Sequence, residues 1–142
     1  MSMAMSEPET STARPRLLLA EDDLQMRQLL ADALRKDGYD VIEAIDGLGL
    51  LDELAIWLID QKRRDPAIRL IISDIRMPGV TGLSILAGLR QAGFSAPIIL
   101  MTAFGDSDTH AAAMRLGVTA IFDKPFELDE LRALVARLVP PA

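Results

Sequence analysis

Leu70-Ile71-Ile72-Ser73-Asp74 is the stretch on which the fold turns, an apolar run that stops abruptly at a carboxylate. The same shape occurs at Leu17-Leu18-Leu19-Ala20, which stops at Glu21-Asp22-Asp23. Periodicity alone does not separate so short a run from buried helix, but its length and acidic stop favour a strand. Working outward, Tyr39 to Ala44, Ile98 to Met101 and Val118 to Phe122 read as further strands, the second-strand run being closed by Asp46-Gly47. Between them lie stretches with helical spacing. Leu24, Met26, Leu29, Leu30, Ala33 and Leu34 form the first stripe, with Asp23 as its N-cap and Gly38 as its stop. The others span about Leu48 to Gln61, Leu83 to Gln91, Asp106 to Leu116 and Leu128 to Leu138. Trp57, in the second helix, reads as a packing residue.

Apolar strands alternating with helices predict an α/β domain whose parallel sheet is covered on both faces. In such folds ligands sit outside the carboxyl ends of the strands. The residues at those ends therefore carry the functional question.

Composition narrows the answer. The 142 residues suit one domain, with half of them hydrophobic and a quarter charged. A net charge of −6 argues against a broad nucleic-acid surface, which needs clustered Lys and Arg. Lys62, Arg63 and Arg64 are followed at once by Asp65 and read as a solvated helix end. The chain has no cysteine, which excludes disulfides, thiolate zinc sites and cysteine nucleophiles. Its single histidine, His110, reads as a surface helix residue. No apolar run approaches the ~20 residues of a membrane span, and no signal peptide is visible, so a cytoplasmic location is expected. Residues 1–15 are polar and aperiodic and read as a disordered leader, residues 16–139 as the domain, and 140–142 as a short tail.

The strand ends gather a coherent set. The first strand delivers Glu21, Asp22 and Asp23, the third Asp74 and the fourth Thr102, while Lys124-Pro125 follows the fifth. Clustered carboxylates repel unless a cation neutralises them or some take up protons. Hard oxygen donors without His or Cys point to Mg²⁺, with Mn²⁺ as an alternative ion. The metal and Lys124 together could neutralise a phosphoryl group on a carboxylate oxygen, and the Thr102 hydroxyl could donate a hydrogen bond to it.

Four stretches, LLLAEDD (17–23), IISDIRMPGVTGLSIL (71–86), IILMTAFGD (98–106) and AIFDKPF (120–126), resemble response-regulator receiver domains of two-component signalling, in matching order and spacing. The resemblance runs from about Arg16 to Val139. It implies a flavodoxin-like doubly wound (βα)5 fold with strand order 2-1-3-4-5. It implies Asp74 as phospho-acceptor and Glu21 and Asp22 as the acidic pair holding Mg²⁺, joined by Asp74 and the Arg76 backbone carbonyl. Thr102 would be the switch hydroxyl, Lys124 the phosphoryl contact, and Pro125 would follow a cis peptide. The donor would be a sensor histidine kinase or histidine phosphotransfer protein. The output would pass through the face of the fourth helix, fifth strand and fifth helix to an effector protein or a phosphorylation-dependent homodimer, without nucleic-acid or membrane contact by this domain. Such a domain is a phosphorylation switch with self-catalysed transfer and dephosphorylation, not a turnover enzyme.

Some positions depart from that pattern. The usual switch aromatic falls on Ile121, while Phe122 beside it should face the other way by period-2 alternation. Arg76 and Phe104, two residues beyond Asp74 and Thr102, resemble positions that tune acyl-phosphate lifetime. The region from Lys62 to Pro66 is longer than is usual in receivers. A non-phosphorylated pseudo-receiver is the alternative reading, opposed by retention of the acidic pair, acceptor, hydroxyl and lysine. A haloacid-dehalogenase-type phosphatase would want a second Asp where Arg76 stands. The sequence ends just after the last helix, so a stand-alone regulator or relay shuttle and a receiver of a larger protein both stay open; TAFGD and KPF resemble receivers attached to transcriptional activators.

Overall fold

The computed structural model describes residues 14–59, 67–77, 81–103, 105 and 107–141, apart from the side chains of residues 57–59. Strands β1 (Arg16–Ala20), β2 (Asp40–Ala44), β3 (Ile68–Asp74), β4 (Ile98–Thr102) and β5 (Ala120–Asp123) form one parallel sheet in the order β2-β1-β3-β4-β5. Helices α1 (Leu24–Lys36), α2 (Gly47–Ile59), α3 (Gly82–Gln91), α4 (Ser107–Arg115) and α5 (Leu128–Leu138) alternate with them. This is the doubly wound flavodoxin-like arrangement expected from the sequence.

Strand parity sorts the core into two layers. Leu17, Leu19, Leu70, Ile72, Ile99 and Met101 face α1 and α5, where they meet Leu30, Leu34, Leu131 and Val135. Leu18, Ile71, Ile98 and Leu100 face the other way, against Leu50, Leu54, Ile85, Leu86 and Ala113 of α2, α3 and α4. Central strands buried on both faces must be continuously apolar, which is why β3 and β4 read as unbroken runs.

The helix starts are set by caps. Asp23 Oδ2 accepts from the Met26 N–H at 2.8 Å, as predicted for the N-cap of α1. Thr81 does the same for Ser84 at 3.2 Å and starts α3 at Gly82. Asp46-Gly47, which closes the β2 run, also opens α2 one residue before the expected Leu48, because Asp46 Oδ1 accepts from the Gly49 N–H at 2.7 Å. Strand β5 lies slightly later than read. Val118 is buried as part of the preceding turn, and pairing with β4 begins at Ala120. Of the expected leader, residues 1–13 lie outside the described residues; Pro15 already accepts a backbone hydrogen bond from Asp40 at 2.9 Å. The Lys62 to Pro66 region also lies outside them. Among the described residues no helix is long and apolar enough to cross a membrane.

Candidate functional site

Parallel strands place their carboxyl ends on one edge of the sheet, and the expected site residues meet there. Glu21 leaves β1 with its backbone N–H bonded to Ala44 O (3.1 Å) at the end of β2. Asp74 ends β3 and pairs in register with Met101, so Thr102 lies one residue beyond it on β4. Thr102 pairs with Asp123 at the end of β5, and the Lys124 N–H donates to Thr102 O at 2.7 Å. Glu21 and Thr102 are fully buried and Asp74 nearly so, an unusual state for acidic groups that need partners.

Lys124 is that partner. Its Nζ donates to Asp74 Oδ2 at 2.6 Å and to Glu21 Oε1 at 2.7 Å. The other oxygen of each carboxylate accepts a backbone N–H, from Arg76 to Asp74 Oδ1 (2.9 Å) and from Asp23 to Glu21 Oε2 (3.1 Å). Burial pushes the Glu21 carboxyl above its ordinary value, against the Lys124 and Asp23 hydrogen bonds, and the Asp74 charge adds to the rise. For Lys124, burial pulls the ammonium down, but bonds to Asp74 and Glu21 outweigh it and hold the pKa above its ordinary value. The ammonium is therefore firmly charged at neutral pH.

Carboxylate oxygens of Glu21, Asp22 and Asp74 lie within 4.8 Å of one another. Three carboxylates against one ammonium leave excess negative charge, and every donor is a hard oxygen. The cluster therefore fits Mg²⁺, which takes oxygen ligands and keeps several waters. Asp22 is exposed, so the cluster opens to solvent on that side.

Gly82 belongs to the site although the sequence reading passed over it. A Cβ there would lie 3.0 Å from both Asp74 O and Ile75 Cα, and its N–H donates to Ile75 O at 2.7 Å. The start of α3 thus packs directly on the backbone at the end of β3, closer than most Cβ atoms approach a neighbour, which favours glycine there. The Thr-Gly pair before an apolar helix was the available signal.

Other expectations fall out unevenly. The Lys124-Pro125 peptide is cis. Ile121 packs with the α2, α3 and α4 layer and Phe122 with the opposite one, where its ring stands edge-on to Phe126 at 5.4 Å. His110 lies on α4 as read, but its Nε2 contacts Asp123 Oδ1 at 2.9 Å, linking α4 to β5. Phe104 and the Trp57 side chain lie outside the described residues.

Fold and edge site together define a doubly wound domain whose carboxylate cluster is bridged by one lysine beside a buried hydroxyl. The chain belongs to the response-regulator receiver family: the pattern described as "Response regulator receiver domain" matches residues 17–136. Sporulation initiation phosphotransferase F of Bacillus subtilis is 31% identical over 125 residues, covering 88% of this chain and 94% of that protein. Response regulator protein FleR of Pseudomonas aeruginosa is 37% identical over 122 residues, 86% of this chain but 24% of that longer protein. The solved response regulator TrrA of Thermotoga maritima, in complex with Mg²⁺-BeF, superposes with a TM-score of 0.72 at 28% identity, covering 88% of this chain and 99% of that one. Receiver domains act in two-component signalling, where an aspartate is phosphorylated, and they interact with histidine kinases and phosphotransfer proteins.

Proposed function

We propose that Asp74 is the phosphoryl acceptor of this receiver domain, with Glu21, Asp22, Asp74 and the Arg76 carbonyl as Mg²⁺ ligands. The supporting observation is the Lys124 ammonium bonded to both Asp74 and Glu21 at 2.6 and 2.7 Å, beside the Asp22 carboxylate and the buried end of β4. An Asp74 carboxylate oxygen attacks phosphorus opposite the P–N bond of a phosphohistidine. The P–O bond forms, the P–N bond breaks, and the imidazole nitrogen keeps the electron pair. Asp74 needs no base, because it enters the reaction as a carboxylate. Lys124 holds its charge next to the attacked group, and the Thr102 hydroxyl donates to a phosphoryl oxygen. Mg²⁺, or Mn²⁺ in its place, supplies neutralisation of the phosphoryl oxygens when bound.

The product adds about −1.5 to −2 charge at the strand ends. Lys124 and Thr102 respond together, because the Lys124 N–H is bonded to Thr102 O. The movement reaches α4 and α5 through β5, where Ile121 packs, half-buried, against the core layer in place of an aromatic rotor. Arg76 and Phe104 remain the candidates for setting phosphoryl lifetime. The donor is a sensor histidine kinase or phosphotransfer protein, and the receiver of the signal is an effector protein or a second copy of the domain, in the cytoplasm and without nucleic-acid contact by this domain. The reaction is a self-catalysed transfer followed by autodephosphorylation, not turnover of a separate substrate.

Incubation with Mg²⁺ and phosphoramidate, followed by intact-mass measurement, tests this reading. Wild type should gain one phosphoryl adduct, and Asp74→Ala or chelation of Mg²⁺ should abolish it. An adduct surviving Asp74→Ala overturns the site assignment. No adduct on wild type from either phosphoramidate or a histidine kinase supports the pseudo-receiver reading instead.

A further inference from the structure

The carboxylates of the candidate metal site are held unequally. Glu21 has every polar atom engaged, and Asp74 is fixed through both carboxylate oxygens. Among the described residues, no hydrogen bond or ion pair holds the Asp22 carboxylate. Its direction therefore depends on the backbone that carries it, and the Glu21–Asp22 peptide plane sets that direction.

One side chain outside the site fixes that plane. Arg27, on the first turn of α1, donates from Nη1 to Glu21 O at 2.9 Å and from Nε to Glu43 Oε1 at 3.2 Å. The Arg27 side chain is largely covered, at 12% exposure. Glu43 is itself braced from the far side by Arg35, at 3.0 Å, and Arg35 also bonds Val41 O at 2.8 Å. The rigid guanidinium fork thus spans the carbonyl at the mouth of β1 and a carboxylate on the edge strand β2.

We propose that Arg27 is a positioning residue for metal binding: it locks the Glu21–Asp22 peptide so that Asp22 points its carboxylate at the ion. This rests on the reading of Glu21, Asp22 and Asp74 as the Mg²⁺ site. Two physical effects predict opposite signs, which makes the role measurable. By Coulomb attraction alone, deleting a cation beside an acidic cluster strengthens cation binding. By positioning, deletion frees the peptide plane and weakens binding, as loss of groups behind metal ligands does, by about tenfold or more.

Mg²⁺ titration calorimetry on wild type, Arg27→Met, Arg27→Lys and Asp22→Asn decides between them, with thermal unfolding of each followed by circular dichroism. Arg27→Met keeps the apolar stem and should weaken Mg²⁺ binding about tenfold in the folded protein. Arg27→Lys should fall between, because an ammonium reaches one acceptor but not both in the same fork. A folded Arg27→Met that binds Mg²⁺ as tightly as wild type, or more tightly, overturns the proposal, even if its Tm is lowered. If Arg27→Met does not fold, wild-type affinity in Arg27→Lys overturns it equally. Unchanged affinity in Asp22→Asn would instead sink the metal-site reading, leaving the two failures distinguishable.

Discussion

Lys124 bridges two carboxylates with one ammonium, so its removal acts on the site in two directions. Lys124→Ala leaves the fully buried Glu21 without a cation, which favours its protonated form. The same change removes a competing positive charge from the place an ion would take. Because these effects oppose each other, Lys124→Ala should leave Mg²⁺ binding in calorimetry largely intact. It should also lose the phosphorylation-dependent shifts of β5 and α4 amides in NMR spectra. Undiminished shifts would take Lys124 out of the response. Gly105 presents a different residue-scale case. A Cβ there would sit 1.8 Å from Asp123 Oδ1 and 2.7 Å from His110 Nε2. A carboxylate end can swing away, so the clash falls on the His110–Asp123 contact rather than on the backbone. That contact is solvent-exposed and contributes about 1 kcal/mol or less. Gly105→Ala should destabilise by no more than that, and the loss should largely vanish in an Asp123→Ala background in a double-mutant cycle. At this scale the parity of Ile121 and Phe122 was legible, because strand alternation is local. The Arg27 contacts were not, since Glu43 lies sixteen residues away and only the folded sheet edge brings them together.

Two helices from opposite ends of the chain share one face of the sheet, and their contact is made by groups that titrate or can be deleted singly. Arg132 on α5 grips Asp37, at the end of α1, with both Nε (2.8 Å) and Nη2 (2.7 Å). The guanidinium hydrogen bond holds the Asp37 carboxyl below its ordinary value against the opposing effect of burial. As pH falls, the unfolded chain takes up this proton before the folded one does. The pair's contribution is thus complete above about pH 4 and is lost as pH drops through the folded-state value below that. Urea midpoints at pH 6 and pH 3 should fall further for wild type than for Asp37→Asn; an equal drop contradicts the assignment. Nearby, the buried Tyr39 hydroxyl donates to Val139 O, pinning the end of α5 to the start of β2. Tyr39→Phe leaves that carbonyl unsatisfied and should cost about 1–2 kcal/mol by chemical denaturation. Element identities were readable because apolar runs and stripes are long-lived signals. Their starts shifted where Asp46 and Thr81 cap helices, since capping residues resemble turn residues in sequence.

The whole molecule explains why four separated segments make one site. Parallel strands in the order β2-β1-β3-β4-β5 put the ends of β1, β3, β4 and β5 on one edge. Glu21 and Lys124, 103 positions apart, are then in hydrogen-bond contact. Hydrophobic periodicity predicted the parallel class, because only doubly covered strands are apolar throughout. It did not yield the strand order; that came from the likeness of the strand-end motifs to the receiver family. The central claim is that this edge delivers a phosphoryl group to Asp74, and the acyl phosphate it forms can be trapped chemically. Borohydride reduces an aspartyl phosphate to homoserine, so protein treated with Mg²⁺ and phosphoramidate, reduced and mapped by peptide mass spectrometry should carry homoserine at position 74. Homoserine at another carboxylate, with position 74 unchanged, would contradict the account.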